Sequence, residues 1–166
     1  MVWMILNENL RFENVDHIVK RAFLRVPERV LIAARTRLYK WTNRPLSDGS
    51  RVTPWWSFVE SIRLPSGMLA EGFRVSEERA ARHWEITSRL ARARAAISDQ
   101  FGNTMANLLL VELKVPVWGF AGQASGQPEF ADDRPEFRHV FLIGGTHQVW
   151  VPELKPQHVT AIPVAG

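Results

Sequence analysis

Two stretches of the chain carry apolar residues at the three- and four-residue spacing of an amphipathic helix. The first begins after Asn14, a residue type that caps helix N-termini, and ends before Pro27, where a helix cannot continue. The second is predicted from Ser76, whose first turn holds two glutamates, to Phe101, just before Gly102. The apolar positions are Val15, Ile18, Val19, Ala22 and Phe23 in the first stretch, and Ile86, Leu90, Ala93, Ile97 and Phe101 in the second.

Other stretches are rich in β-branched and aromatic residues, which predicts strands. Val30–Thr42 predicts a strand with a bend in its middle, and the apolar run within Asn107–Val117 predicts a central strand. His158–Ile162 predicts a last strand, which Pro163 ends. Between them, Gly119–Asp133 is rich in Gly, Gln, Pro and Asp and predicts a long loop that is mobile or acts as a lid.

Two further strands are predicted on either side of Gly144 and Gly145, which supply the positive φ angles of a tight hairpin turn. That hairpin would pair His139 with Trp150 and Phe141 with Gln148. Because side chains alternate between faces, one face would be apolar and suited to the core, and the other would mix polar and aromatic groups. The apolar face would hold Val140, Leu142, Val149 and Val151, and the mixed face His139, Phe141, Thr146, Gln148 and Trp150.

These patterns predict a single α+β domain over residues 1–166. Its N-terminal helices would pack on a mostly antiparallel β-sheet, which is either continuous or split. A chain of 166 residues is close to one average domain and can bury a core without disulfides.

The composition excludes several kinds of chemical site but identifies none. The chain has no cysteine, which excludes disulfides, thiolate metal sites and a cysteine nucleophile. Its five histidines show no metal-ligand spacing, so no metal site is expected. A net charge of +4 is mild, and seven tryptophans are many for this length. With no apolar run of membrane length and no typical signal peptide, we expect a cytoplasmic protein unless a dedicated system exports it.

Two segments resemble the ADP-ribosyltransferase toxins. Residues 37–46, Arg-Leu-Tyr-Lys-Trp-Thr-Asn-Arg-Pro-Leu, are similar to the Leu-Tyr-Arg-like strand end of that family and the turn that follows it. Residues 144–152, Gly-Gly-Thr-His-Gln-Val-Trp-Val-Pro, are similar to the family's last strand, which carries a catalytic glutamate. The family's intervening Ser-Thr-Ser-like strand is approached either by residues 53–57 or by residues 103–104.

The resemblance implies a toxin or effector domain that binds NAD and transfers ADP-ribose to a macromolecular target. The family's phosphate-binding arginine falls on Lys40, which lacks the planar fork of arginine. The family's glutamate falls on Gln148, which keeps a hydrogen bond but offers no charge to a developing cation. The implied NAD contacts are Tyr39, Lys40, Trp55, Trp56 and Ser57, and the implied catalytic position is Gln148.

Two other classes of function stay open at this stage. The first is a protein-interaction domain without enzymatic activity, such as an immunity or accessory protein, whose exposed tryptophans anchor a partner. The second is nucleic-acid binding through aromatic stacking and arginine contacts, which the mild charge and the scattered basic residues make the weaker choice.

Overall fold

The computed structural model describes residues 4–42, 54–72, 107–125, 127–128, 141–142 and 147–162. Within these ranges there are eleven strands, two single-turn 3-10 helices (Phe12–Asn14 and Pro156–His158) and one α-helix, α1, at His17–Arg21. The strands are β1 Glu28–Ile32, β2 Arg37–Thr42, β3 Trp55–Phe58, β4 Ile62–Arg63, β5 Leu69–Ala70, β6 Asn107–Leu113, β7 Val117–Gln123, β8 Gln127–Pro128, β9 Phe141–Leu142, β10 His147–Trp150 and β11 Val159–Ile162.

Seven strands form one sheet in the order β1-β7-β10-β3-β2-β6-β11, and every ladder between neighbours is antiparallel. Strands β1 and β2 lie four positions apart in this order, which would span about 19 Å in a flat sheet. Yet only residues 33–36 join them, in a tight turn where the Thr36 amide donates to the Ala33 carbonyl over 3.3 Å. The sheet must therefore curl over on itself.

The main core lies inside this curl. Valine and isoleucine side chains from β1, β7 and β10 meet leucine and aromatic side chains from β2, β3 and β6 in one cluster. The short β4-β5 hairpin adds Leu64 and Ala70 to the same cluster. The core residues on these six strands are Val30, Ile32, Val117, Ala121 and Val149 from one half, and Leu38, Trp56, Phe58, Val111 and Leu113 from the other.

A second, smaller apolar cluster lies on the opposite, outer face of β7 and β10. There the N-terminal segment covers the sheet with Val15 and Phe23, which pack with Phe120. Trp55 and Trp150 border this cluster and are half-buried. Strands β7 and β10 therefore lie between an inner and an outer apolar layer.

The predicted α+β class, with N-terminal helices packed on the sheet, is wrong, because the described chain is mostly antiparallel β-sheet with one five-residue helix. The first predicted helix shrinks to α1. Its N-cap is Asp16, whose carboxylate accepts from the Ile18 amide at 2.8 Å, rather than Asn14. The second predicted helix, Ser76–Phe101, lies outside the described residues.

Competition from the sheet explains why α1 ends early. The Ala22 carbonyl accepts hydrogen bonds from the Ser125 amide (2.8 Å) and the Gln148 side chain (3.1 Å). The Leu24 amide donates to the Gln123 carbonyl (2.9 Å), and Phe23 forms an isolated β-bridge with Ala124. Tertiary contacts therefore use the backbone groups that a longer helix would need.

The predicted bend in Val30–Thr42 is a complete break, because β1 and β2 are separate strands in different parts of the sheet. The predicted last strand is confirmed as β11. The predicted hairpin pairing of Trp150 with His139 is wrong, since both edges of β10 are occupied and Trp150 pairs with Phe120 and Trp55. The turn at residues 144–145 lies outside the described residues.

The predicted loop at Gly119–Asp133 is wrong over its first five residues, which belong to β7 between β1 and β10. The glycines there permit close packing rather than a loop. A Cβ on Gly119 would lie 2.8 Å from the Trp150 carbonyl oxygen, and one on Gly122 would lie 3.0 Å from Cδ1 of Phe23. Residues 126 and 129–133 lie outside the described residues.

Candidate functional site

The three sequence segments that suggest a site occupy adjacent strands. Tyr39 and Lys40 lie on β2, Trp55, Trp56 and Ser57 lie on β3, and Gln148 lies on β10. Their order in the sheet is β10-β3-β2. Segments that are far apart in the sequence thus meet at the centre of the sheet.

Three of these side chains form one row across the three strands, on the outer face. Tyr39 pairs directly with Ser57. On the other side of β3, Trp56 pairs with Val149, and the same antiparallel register places Ser57 opposite Gln148. A phenol, a hydroxyl and an amide therefore stand side by side, and we call Tyr39, Ser57 and Gln148 the polar row.

The polar row is mostly covered. Tyr39 is 7% exposed and Gln148 is 8% exposed, while Ser57 is half-buried and the most accessible of the three. The Gln148 amide Nε2 donates to the Ala22 carbonyl over 3.1 Å. That bond fixes the orientation of the amide and leaves its Oε1 as the atom that can accept a further hydrogen bond.

Lys40 and Trp56 lie on the inner face, so the sheet separates them from the polar row. The Lys40 ammonium sits 4.0 Å from the centroid of the Trp56 ring, and both residues are buried. Burial lowers the pKa of Lys40 to about 7, because desolvation disfavours the charged ammonium. The structure thus brings Lys40 and Trp56 together, but not beside Gln148.

Four tryptophans with a described environment, Trp55, Trp56, Trp118 and Trp150, are all buried or half-buried. Trp56 is 2% exposed within the inner core, whereas Trp55 lies on the outer face with its ring 5.4 Å from that of Phe23. Trp118 and Trp150 are half-buried. A partner could not anchor on Trp55 and Trp56 without displacing these contacts.

An open groove of about 530 Å³ lies at the end of β10, between the N-terminal segment and residues 150–153. Trp150 forms part of its wall and points to the same face as Gln148, two residues away. The amide of Asn7 closes one side by donating to the carbonyls of Trp118 (3.2 Å) and Pro152 (2.7 Å). The lining residues are Ile5, Asn7, Glu8, Asn9, Leu10, Trp150, Pro152 and Glu153.

His147 is a polar group that the sequence reasoning did not select. It lies on the inner face of β10 and is buried, and among the described residues its Nε2 has no hydrogen-bond partner. Burial lowers the pKa of His147, although the carboxylates of Glu71 and Glu28 act in the opposite direction. The signal that could have identified it is its alternation with Val149 and Val151, which places it on the core face.

Within the described ranges, no group of three or more histidine, aspartate or glutamate side chains could hold a metal ion. In the same ranges, no helix is long and apolar enough to cross a membrane.

Comparison with known proteins assigns no family to this chain. No protein-family model matches the chain, and no curated protein matches it. A solved structure of Tne2 in complex with Tni2 matches 84% of this chain and 90% of its own chain, with a TM-score of 0.49 and 10% sequence identity. A match at that level assigns neither a family nor a function.

Proposed function

We propose that this chain is an NAD-binding domain of the ADP-ribosyltransferase kind, and that the polar row contacts the dinucleotide. One observation carries the proposal. The two segments that resemble the toxin family lie on β2 and β10, and residues 53–57, one of the two approaches to its intervening strand, lead into β3 between them, so that Tyr39, Ser57 and Gln148 share one face and one row.

The groove beside Trp150 supports the same location. Its volume of about 530 Å³ is within the range of small-molecule sites. Trp150 offers the edge and face of an indole, against which a flat heterocycle can stack. In this arrangement the ribose hydroxyl groups lie toward the polar row and one ring of the dinucleotide lies in the groove.

Gln148 determines which chemistry the site can support. Its Oε1 can accept a hydrogen bond from a ribose hydroxyl while Nε2 stays bound to the Ala22 carbonyl. Transfer of ADP-ribose breaks the bond between the ribose C1′ and the nicotinamide nitrogen, which keeps the electron pair. A nucleophile of the macromolecular target then bonds to C1′. An uncharged amide stabilises the cationic character of C1′ less than a carboxylate would. We therefore expect NAD binding to be easier to detect than transfer of ADP-ribose.

Lys40 and Trp56 have no contact with NAD in this proposal, because they face the inner core. The interaction-domain alternative needs exposed tryptophans as anchors, whereas Trp55, Trp56, Trp118 and Trp150 are buried or half-buried. A macromolecular target, or an immunity partner that blocks the site, would act at the outer face.

Ser57→Ala is the most direct test, because Ser57 is half-buried and the change removes one hydroxyl. We expect NAD affinity to fall about fivefold or more, the value of one lost polar contact, while the melting temperature changes little. Gln148→Ala should also weaken binding, together with a modest loss of stability from the broken bond to Ala22. Isothermal titration with NAD and thermal unfolding measure both quantities.

Gln157→Ala is the matched control, because Gln157 is an exposed glutamine on the 3-10 helix Pro156–His158 and lies outside the polar row. It should bind NAD as the wild type does. The proposal fails if Ser57→Ala and Gln148→Ala bind NAD with unchanged affinity, or if the wild-type protein does not bind NAD at all.

A further inference from the structure

Two arginines from different parts of the chain converge on the same two carbonyl groups. Arg29, on β1, donates from Nε to the Leu10 carbonyl (2.8 Å) and from Nη2 to the Glu8 carbonyl (3.1 Å). Arg11 donates from Nη1 to the same oxygens of Leu10 (3.0 Å) and Glu8 (3.1 Å). Since both side chains reach one oxygen at about 3 Å, their nitrogens lie within about 6 Å of each other.

The Arg29 guanidinium is held in place by more than these bonds. Its central carbon lies 3.6 Å from the centroid of the Trp118 ring, so the guanidinium stacks on the indole. Trp118 is half-buried in β7, beside β1 in the sheet. The stacking and the two carbonyl bonds leave Arg29 little freedom to move away from Arg11.

No carboxylate balances this pair among the described residues, where neither Arg11 nor Arg29 forms an ion pair. The pKa of Arg29 is lowered first by desolvation and second by the nearby positive charge of Arg11. A guanidinium has five N–H donors in a fixed fork, and the carbonyl bonds use only part of them. Donors and positive charge therefore remain unused on both side chains.

We propose that Arg11 and Arg29, supported by Trp118, bind a phosphate-type oxyanion. A tetrahedral oxyanion offers several oxygen atoms to two forks at once, and arginine binds phosphate through paired N–H donors. The oxyanion is either free phosphate or the phosphate group of a small molecule. This site lies on the edge strand β1 and does not depend on NAD binding at the polar row.

The test is thermal unfolding in inorganic phosphate against sodium chloride of equal ionic strength, because a ligand that binds the folded state raises its melting temperature. Wild-type protein should melt higher in phosphate. Arg11→Gln should lose at least half of that rise, and it should fold normally because Arg11 is exposed. Arg63→Gln is the control, since Arg63 is an exposed arginine that donates to the Gly67 carbonyl (2.8 Å).

If phosphate and ribose 5-phosphate each have an equal effect in wild type, Arg11→Gln and Arg63→Gln, the arginines only fasten the N-terminal segment and the proposal is wrong. A titration with ribose 5-phosphate in place of phosphate distinguishes the two sources. A rise that only the sugar phosphate gives, and that Arg11→Gln removes, supports the phosphate group of a small molecule. Ser57→Ala should leave the phosphate effect intact, so this site and the NAD site can fail separately.

Discussion

Replacing Lys40 by methionine should change how the stability of the protein depends on pH. The Lys40 ammonium is buried 4.0 Å from the Trp56 ring centroid, and burial lowers its pKa from 10.5 to about 7. Below pH 7 the folded protein carries a buried cation and the full cost of its desolvation. Between pH 7 and 10.5 unfolding takes up a proton, so the free energy of unfolding rises with pH in that window.

A difference of one bound proton corresponds to about 1.4 kcal/mol per pH unit. Because the folded-state ammonium is still half protonated at pH 7, the wild-type protein should gain about 2 kcal/mol between pH 7 and pH 9 relative to Lys40→Met. Methionine keeps an unbranched apolar chain against the Trp56 ring and does not titrate. The stability of the wild type relative to the variant should therefore rise steadily with pH.

Urea unfolding of both proteins at several pH values from 7 to 9 measures this difference. Lys114→Met is the matched control, because Lys114 is exposed. The free energy of unfolding of this variant should change with pH as that of the wild type does. A constant difference between Lys40→Met and the wild type over the whole range would mean that burial does not lower the pKa of Lys40, and would refute the reasoning.

Three further sets of variants test the packing on the two faces of β7 and β10. Gly119→Ala should lower the free energy of unfolding by about 1–3 kcal/mol, which is more than the loss for Gly122→Ala. The reason is that a Cβ at Gly119 meets the Trp150 backbone oxygen, whereas a Cβ at Gly122 meets the edge of the Phe23 ring. Urea unfolding measures both losses. Phe23→Ala should cost about 3–5 kcal/mol by the same method, whereas a change at the exposed Leu24 should cost about 0.5 kcal/mol or less. Gln148→Glu should lower the melting temperature, because it removes the donor to the Ala22 carbonyl and places a carboxylate against that oxygen; an unchanged melting temperature would contradict the assigned hydrogen bond.

Local alternation predicted the faces of β10 correctly, because it needs no knowledge of the partner strands. Gln148 and Trp150 lie on one face, and Val149 and Val151 lie in the core on the other. Alternation could not show that Gln148 is buried. The residues that cover Gln148 are Ala22 and the neighbours of Ala22, which lie more than a hundred residues earlier in the chain.

The errors share a physical cause, which is that long-range pairing overrides local preference. Gly119 and Gly122 indicate a loop by composition, but they lie in a strand because the Trp150 backbone and the Phe23 ring approach them closely. The helical pattern after Asn14 is interrupted because Ala22 and Leu24 form hydrogen bonds with the end of β7. None of these partners is adjacent in the sequence.

The site could be predicted only in part for the same reason. The residues selected from the sequence lie on three adjacent strands, but the alternation of faces separates Lys40 and Trp56 from Tyr39, Ser57 and Gln148. The pairing of β2 with β3, and of β3 with β10, decides which residues share a row. That register depends on contacts among distant segments, which no local pattern specifies.

The most direct test is a calorimetric titration of the wild-type protein with NAD, followed by measurement of released nicotinamide. The polar row and the groove beside Trp150 predict saturable binding of one NAD per chain, weakened by Ser57→Ala and unchanged by Gln157→Ala. No heat of binding and no nicotinamide release up to millimolar NAD would contradict an NAD-binding function for this chain.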